Sequence, residues 1–222
     1  MITHPEKVMF PDDGITKGEL AAYYATVAPV MLPHLRMRPV TMERFHRGIG
    51  EKGFFQKNVE RGAPAWLERV AVPKKDGVVN YPLITDARGL EWLANQNCII
   101  AVPVDRSDEW SNVARFAHGV GRMLVTRHPD RFTQEFYKAD RGDRILIDTG
   151  RNESTATFAS PYAVRPKPGA RVSAPCTWDE VAQGTAVPKT FTLHAMAARV
   201  QDVGDVWAAL YDLPCALPVF AT

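Results

Sequence analysis

The stretch "TKGELAAYYATVAPVML" places Leu20, Tyr23, Tyr24 and Val27 at helical spacing. Thr16 and Glu19 precede them as a T-x-x-E capping box, so the pattern predicts a helix starting there. Pro29 and Pro33 are expected to limit its far end. "RPVTMERF" reads as a short strand, and "RVAVPKKDGVVNYPLI" as a hairpin turning at Asp76-Gly77. "DARGLEWLANQNC" reads as a short helix capped by Asp86. "CIIAVPV" is an unbroken apolar run of strand length. In "SDEWSNVARFAHGVGRMLVTRH", Val113, Phe116, Ala117, Val120 and Leu124 form one apolar face. Ser107 would cap that helix, with Asp108 and Glu109 at its positive end. "YKADRGDRILIDTG" and "TATFASPYAVRP" read as two strands, the first entered through a turn at Arg141-Gly142-Asp143. The Pro-rich "VRPKPGARVSAPCTWDE" leaves the sheet. Mixed strands and helices with a hairpin predict an α+β (mixed α/β) fold.

Composition changes this picture little. The chain has 222 residues, 45% apolar and 23% charged, as a globular protein does. Its net charge of +2 is too small to indicate nucleic-acid binding without a local patch. Cys98, Cys176 and Cys215 are scattered and odd in number, which favours reduced thiols in a cytoplasm over a disulfide frame or zinc site. No signal peptide and no membrane span are expected, because no apolar run is long enough.

Three groups of residues could carry chemistry. Lys7 lies in a loop and Lys17 in the first turn of a helix, where a cation opposes the helix dipole. They read either as solvated side chains or as an anion site that a bound phosphate would complete. Phe54 and Phe55 are adjacent among Arg47, Lys52 and Lys57. Neighbours in a strand face opposite ways, so one strand cannot send both rings into one core. Either one ring is buried, or both are exposed and suited to stacking on unpaired bases. Asp148 ends the apolar run "RILID", among Arg141, Arg144, Arg151 and Arg165. If it ends a strand, Arg144 shares its face. The group reads as a metal ligand with triphosphate-binding arginines, or as a strand edge with a surface salt bridge.

Several long stretches, in order, resemble the polymerase domain of bacterial ATP-dependent DNA ligase D, of the archaeo-eukaryotic primase superfamily. They are "EKVMFPDDGITKGELAAYY", "LPHLRMRPVTMERF", "GFFQKN", "LITDARGLEWLANQNCI", "VARFAHGVGRMLVTRHPDRFT", "KADRGDRILIDTGRN", "PYAVRPKPGARVSAPCTWDEV" and the looser "FTLHAMAARVQDVGDVWAAL". The resemblance implies one primase-polymerase domain over the whole chain, with a mixed sheet core and flanking helices. It implies template-dependent nucleotide addition in bacterial non-homologous end joining, with Mn2+ or Mg2+ as cofactor. The implied partners are 5′-phosphorylated gapped or recessed DNA ends, nucleotides, and end-joining proteins such as Ku and a DNA ligase. The implied place is the cytoplasm, at the nucleoid. By the same resemblance Lys7 and Lys17 hold the 5′-phosphate, and Phe54 and Phe55 contact template. Asp148 is the third metal-binding carboxylate. Arg141, Arg151 and Arg165 contact nucleotide, and Arg44 sits beside one such position, although Glu43 stands where a basic residue is expected.

Two signatures of the family are missing. A D-x-D pair and an S-x-K-x-x-H element belong between "WLANQNCI" and "AVPV", and neither D-x-D nor S-x-K occurs anywhere in the chain. "LANQNCIIAVPVDRSDEW" therefore reads as a join near residues 99–101, with the intervening segment deleted. The expectations are an incomplete sheet core, apolar surface uncovered on "VARFAHGVGRMLV", poorly held or absent metal, and no catalysis. Three other readings stay open: an active polymerase, if the missing segment is an artefact or another chain supplies it; a non-catalytic binder of DNA ends; and a gene product without function.

Overall fold

A computed structural model describes residues 2–74, 76–103, 110–150 and 157–211. In chain order its elements are β1 (Val8–Phe10), β2 (Ile15–Thr16), α1 (Lys17–Leu35), β3 (Thr41–Arg44), β4 (Phe54–Gln56), β5 (Arg69–Lys74), β6 (Gly77–Pro82), α2 (Ala87–Asn95) and β7 (Cys98–Pro103). There follow α3 (Trp110–Arg127), β8 (Phe132–Thr133), α4 (Lys138–Arg141), β9 (Ile145–Leu146), β10 (Thr157–Ala159), α5 (Trp178–Ala182), α6 (Leu193–Val203) and a 3-10 turn at Ala208–Tyr211. This is the α+β class that the pattern predicts.

Helix α1 starts at the predicted capping box. The Thr16 side chain accepts the Glu19 N–H, and the Glu19 carboxylate accepts the Thr16 N–H at 2.8 Å. Its far end corrects the expectation, because the helix runs through both prolines to Leu35. Each proline lacks the N–H that the carbonyl four residues back would use. Burial offsets that loss: Leu20, Tyr23, Tyr24, Val27, Met31 and Leu35 line one buried stripe, and α1 packs on α2 and α6. Asp86 caps α2 as predicted, accepting the Gly89 N–H at 3.1 Å.

The main sheet has the order β10-β7-β3-β4. Strand β3 is antiparallel to both neighbours, with Met42 opposite Gln56 and Ile100, and Arg44 opposite Phe54 and Cys98. The run that reads as a join is thus one regular strand. The hairpin β5–β6 pairs Lys74 with Gly77, so its two-residue loop is 75–76. That corrects the expected Asp76-Gly77 turn by one position; Gly77, at φ +122°, opens β6 instead. Lys75 lies outside the described residues, as do Ser107, Asp108 and Glu109, named above as the cap of α3.

The described residues divide into two compact units, with boundaries at Val102/Pro103 and Phe158/Ala159. Among the described residues, the first holds every buried hydrophobic side chain, from Met9 to Val200. In the second, no described hydrophobic side chain is buried, and Val113, Phe116, Ala117, Val120 and Leu124 of α3 are all half-exposed. A fully buried aliphatic or aromatic side chain contributes about 1.5–3 kcal/mol, so the described residues of the second unit supply little hydrophobic stabilisation. Its described residues include the short parallel pairing of β8 with β9. We expect the α3 amides to exchange with deuterium roughly a hundredfold faster than those of α1, through local opening. Equal protection in a hydrogen-exchange measurement would contradict this account.

Candidate nucleic-acid interface and residual carboxylate

In the first unit, local backbone pairing joins Lys7 to Lys17. The Lys17 N–H donates to the Lys7 carbonyl at 2.8 Å, and the Gly18 N–H to the Pro5 carbonyl at 2.8 Å. The loop before β1 is thereby folded against the first turn of α1. Lys17 is 3% exposed, and its Nζ donates to the Thr3 carbonyl at 2.7 Å and the Thr3 hydroxyl at 3.3 Å. The half-exposed Lys7 donates from Nζ to the His46 carbonyl. Burial lowers the Lys17 pKa, and the neighbouring Lys7 charge lowers it further, against a smaller opposing pull from Glu6. Two like charges held together, one of them desolvated, are an arrangement that an anion stabilises. The helix N–H groups contribute less than the sequence suggests. Those of Lys17 and Gly18 are taken by carbonyls, and that of Glu19 by the Thr16 hydroxyl. An anion here would meet ammonium groups.

Phe54 and Phe55 are both exposed, at 43% and 61%. They lie on β4, the edge of the main sheet, so neither of their faces is fully covered. The pairing puts Phe54 on the face of Arg44 and Phe55 on the face of Glu43. The His46 ring lies 5.3 Å from the Phe54 ring, and the Arg44 guanidinium 6.0 Å from it. His46 therefore touches both groups, since its carbonyl holds Lys7. Gly53 is required here: a Cβ would come within 2.5 Å of the Phe45 ring.

The arginines differ in availability. Arg44 is mostly buried, donating to the Gln56 side chain at 2.8 Å, to the Gln96 carbonyl and side chain, and to Glu60. Glu60 has a lowered pKa, chiefly through its hydrogen bond from Arg44. Arg44 thus holds the sheet edge together, and could contact a nucleotide only by giving up some of these bonds. Burial raises the Glu43 pKa, with Lys167 opposing. Arg165 is exposed and shares a cleft of about 580 Å³ with Lys167, Arg171 and Phe191. The sequence reading overlooked Lys167 and Arg171; the signal was the alternation of basic residues and turn formers in "RPKPGAR".

Arg141 and Asp148 belong to the second unit. Arg141 ends α4, where a turn was expected, and donates to the Glu135 carbonyl at 2.9 Å and to the Phe136 carbonyl. Strand β9 is only Ile145–Leu146, so Asp148 lies beyond it and does not share a strand face with Arg144. The chain leaves the pairing there because β8, its partner, ends at Thr133. Asp148 is exposed, and its Oδ1 accepts the Gly150 N–H at 3.1 Å. It borders a cleft of about 550 Å³ with His118, Gln134, Phe136 and Thr149, and no other acid lines it among the described residues. Thr149 Oγ1 and His118 Nδ1 are 2.8 Å apart. Arg151 lies outside the described residues.

Two divalent metals need several clustered anionic oxygens. Among the described residues no three His, Cys, Asp or Glu side chains come together as a metal site would. The described residues around Asp148 do not fit a two-metal centre.

The mixed sheet with flanking helices is that of a polymerase domain. Over 96% of this chain and 99% of the other, it matches the polymerase domain of Mycobacterium tuberculosis ligase D in complex with DNA, with a TM-score of 0.87 and 24% identity. The sequence profile described as LigD, primase-polymerase domain matches residues 16–101 and 99–207, and the chain belongs to that family. It is 27% identical over 280 residues to the multifunctional non-homologous end joining protein LigD of Mycolicibacterium smegmatis, covering 97% of this chain. It is 35% identical over 147 residues to the multifunctional non-homologous end joining DNA repair protein LigD of M. tuberculosis, covering 66% of this chain. The chain spans 36% of the first relative's length and 18% of the second's. The alignment of 280 residues is longer than this entire chain of 222, so that relative carries residues with no counterpart here.

Proposed function

We propose that this chain binds 5′-phosphorylated DNA ends in bacterial non-homologous end joining and has lost nucleotidyl transfer. The observation that carries end binding is the lysine pair, with Lys17 buried and its pKa lowered beside Lys7. A terminal phosphate is a compact dianion that would relieve both the repulsion and the desolvation. The exposed rings of Phe54 and Phe55 suit unpaired template bases next to such an end. Cations at Arg165, Lys167 and Arg171 would suit a nucleotide's phosphates. Manganese or magnesium would be held poorly, if at all, by Asp148.

Loss of catalysis is supported by the missing D-x-D and S-x-K elements and by a cleft in which, among the described residues, Asp148 is the one acid. A deletion is supported by the two stretches of the family match, which meet at 99–101 where the sequence reads as a join. The surplus length of the M. smegmatis alignment points the same way. Within a cell, Ku and a DNA ligase would be the partners of such a module, at the nucleoid.

The test is a titration with a gapped duplex carrying either a 5′-phosphate or a 5′-hydroxyl, at two salt concentrations. The phosphorylated end should bind more tightly. Lys7→Ala and Lys17→Ala should each lower the salt slope by about one, and Asp148→Ala should leave it unchanged. Equal affinity for the two ends, or no loss in either lysine variant, would defeat the proposal and favour a chain without function.

A further inference from the structure

One residue joins the two halves of the proposed end site. The His46 carbonyl accepts the Lys7 Nζ, while the His46 ring lies against the Phe54 ring, with centroids 5.3 Å apart and planes tilted by 39°. The ammonium that would meet a phosphate rests on the backbone of His46. The ring that would meet a base rests on its side chain.

The turn that carries His46 is fixed on several sides. The Ile49 N–H donates at 2.8 Å to the carbonyl of Met9, in the strand that follows Lys7. Gly48, at φ +81°, approaches so closely that a Cβ there would lie 2.9 Å from the same carbonyl oxygen. The Phe45 N–H donates to the Asn97 carbonyl at 3.0 Å, and the Gly48 N–H to the Phe45 carbonyl at 3.4 Å. The Phe45 side chain is buried, and its ring fills the space over Gly53, the residue before Phe54. The His46 side chain itself is exposed. A shift of Lys7 toward an anion therefore acts on the backbone of His46, and a tilt of Phe54 acts on its ring.

Resting on the end-binding reading, we propose that His46 is a positioning residue that couples the 5′-phosphate to the template base, so that each strengthens binding of the other. Independent contacts would contribute additively, whereas contacts that share a held residue do not. By linkage the effect is reciprocal. Arg44 also approaches the Phe54 ring, at 6.0 Å, but it bonds Gln56, Glu60 and Gln96 rather than Lys7. The chain would thus select a phosphorylated end that lies beside an unpaired template base over an end that offers either feature alone.

The test is a four-substrate cycle on the full chain. Gapped duplexes carry a 5′-phosphate or a 5′-hydroxyl and, in the gap, a template base or an abasic site; dissociation constants are read by fluorescence anisotropy. The gain from the 5′-phosphate should be roughly fivefold or more larger with the template base than with the abasic site. His46→Ala keeps the backbone carbonyl for Lys7, so it should retain the phosphate preference on the abasic gap and bring the two gains to about the same value. His46→Phe keeps a ring against Phe54 and should keep the coupling. The ring is on the surface, so the melting curves of all three proteins should coincide. A phosphate preference with equal gains on both gaps in the parent, or coupling that persists in His46→Ala, would overturn this proposal and leave end binding standing. The absence of any phosphate preference would overturn both.

Discussion

Supplied with manganese, a primed template and all nucleotides, the purified chain will extend no primer above the level of an Asp148→Ala control. In-line nucleotidyl transfer needs metals that activate the attacking oxygen and neutralise the leaving one. A single carboxylate cannot hold two dications against water, and Asp148 is exposed with no second acid in its cleft among the described residues. Losing one donor that stabilises transition-state charge commonly costs about a hundred- to a thousandfold in rate. Here a carboxylate pair and a triphosphate-gripping element are both missing from the sequence. The expected activity is therefore below about a ten-thousandth of that of an intact family member. Extension above the matched control would overturn the reading, and would direct attention to a segment supplied by another chain.

A large effect on stability is expected at Asp205. Its carboxylate accepts the Tyr162 hydroxyl at 2.7 Å and the Trp207 N–H at 3.0 Å, and lies 3.0 Å from His34 Nε2. The His34 and Asp205 side chains are both almost fully buried. Tyr162 sits at φ +64°, a conformation that costs energy for a residue with a Cβ. The Tyr23 hydroxyl holds its carbonyl at 2.7 Å, and Asp205 holds its hydroxyl. Asp205→Ala removes one anchor and leaves a buried hydroxyl without that acceptor, so it should cost about 3 kcal/mol. Asp205→Asn keeps an acceptor and should cost less.

The same cluster sets a pH dependence. Burial lowers the His34 pKa, although the charge and hydrogen bond of Asp205 pull it upward. The unfolded chain then binds a proton that the folded chain resists. This contribution is fully present above the ordinary histidine range and is lost as pH falls through the lowered value. Asp205→Asn removes the upward pull, so the loss should continue to lower pH. Urea denaturation at several pH values between 8 and 5 measures both effects. A variant that is as stable as the parent, with the same pH profile, would remove Asp205 from this role.

Local chemistry was legible without coordinates. The Thr16–Glu19 box and the Asp86 cap depend on side chains reaching N–H groups three residues on, so sequence spacing suffices. Strand alternation showed that Phe54 and Phe55 cannot both enter one core, and left open whether one ring or both would be exposed; the structure exposes both. Absence of D-x-D and S-x-K is likewise a property of the string alone. Where local rules competed with packing, they gave way. Pro29 and Pro33 lie inside α1 because its buried stripe outweighs the lost hydrogen bonds.

Other features were decided only by tertiary structure. Arg44 looks like any exposed arginine near a site until Gln56 and Glu60 from one segment and Gln96 from another converge on it. Lys7 and Lys17 read from the sequence as solvated cations or as an anion site, and only the fold shows that the chain turns back and joins them by a backbone hydrogen bond. Asp205 meets His34 and Tyr162 from 171 and 43 residues away. Desolvation and like-charge repulsion depend on distances through space, and so the pKa shifts of Lys17 and His34 are written in the fold and nowhere in the spacing of the sequence.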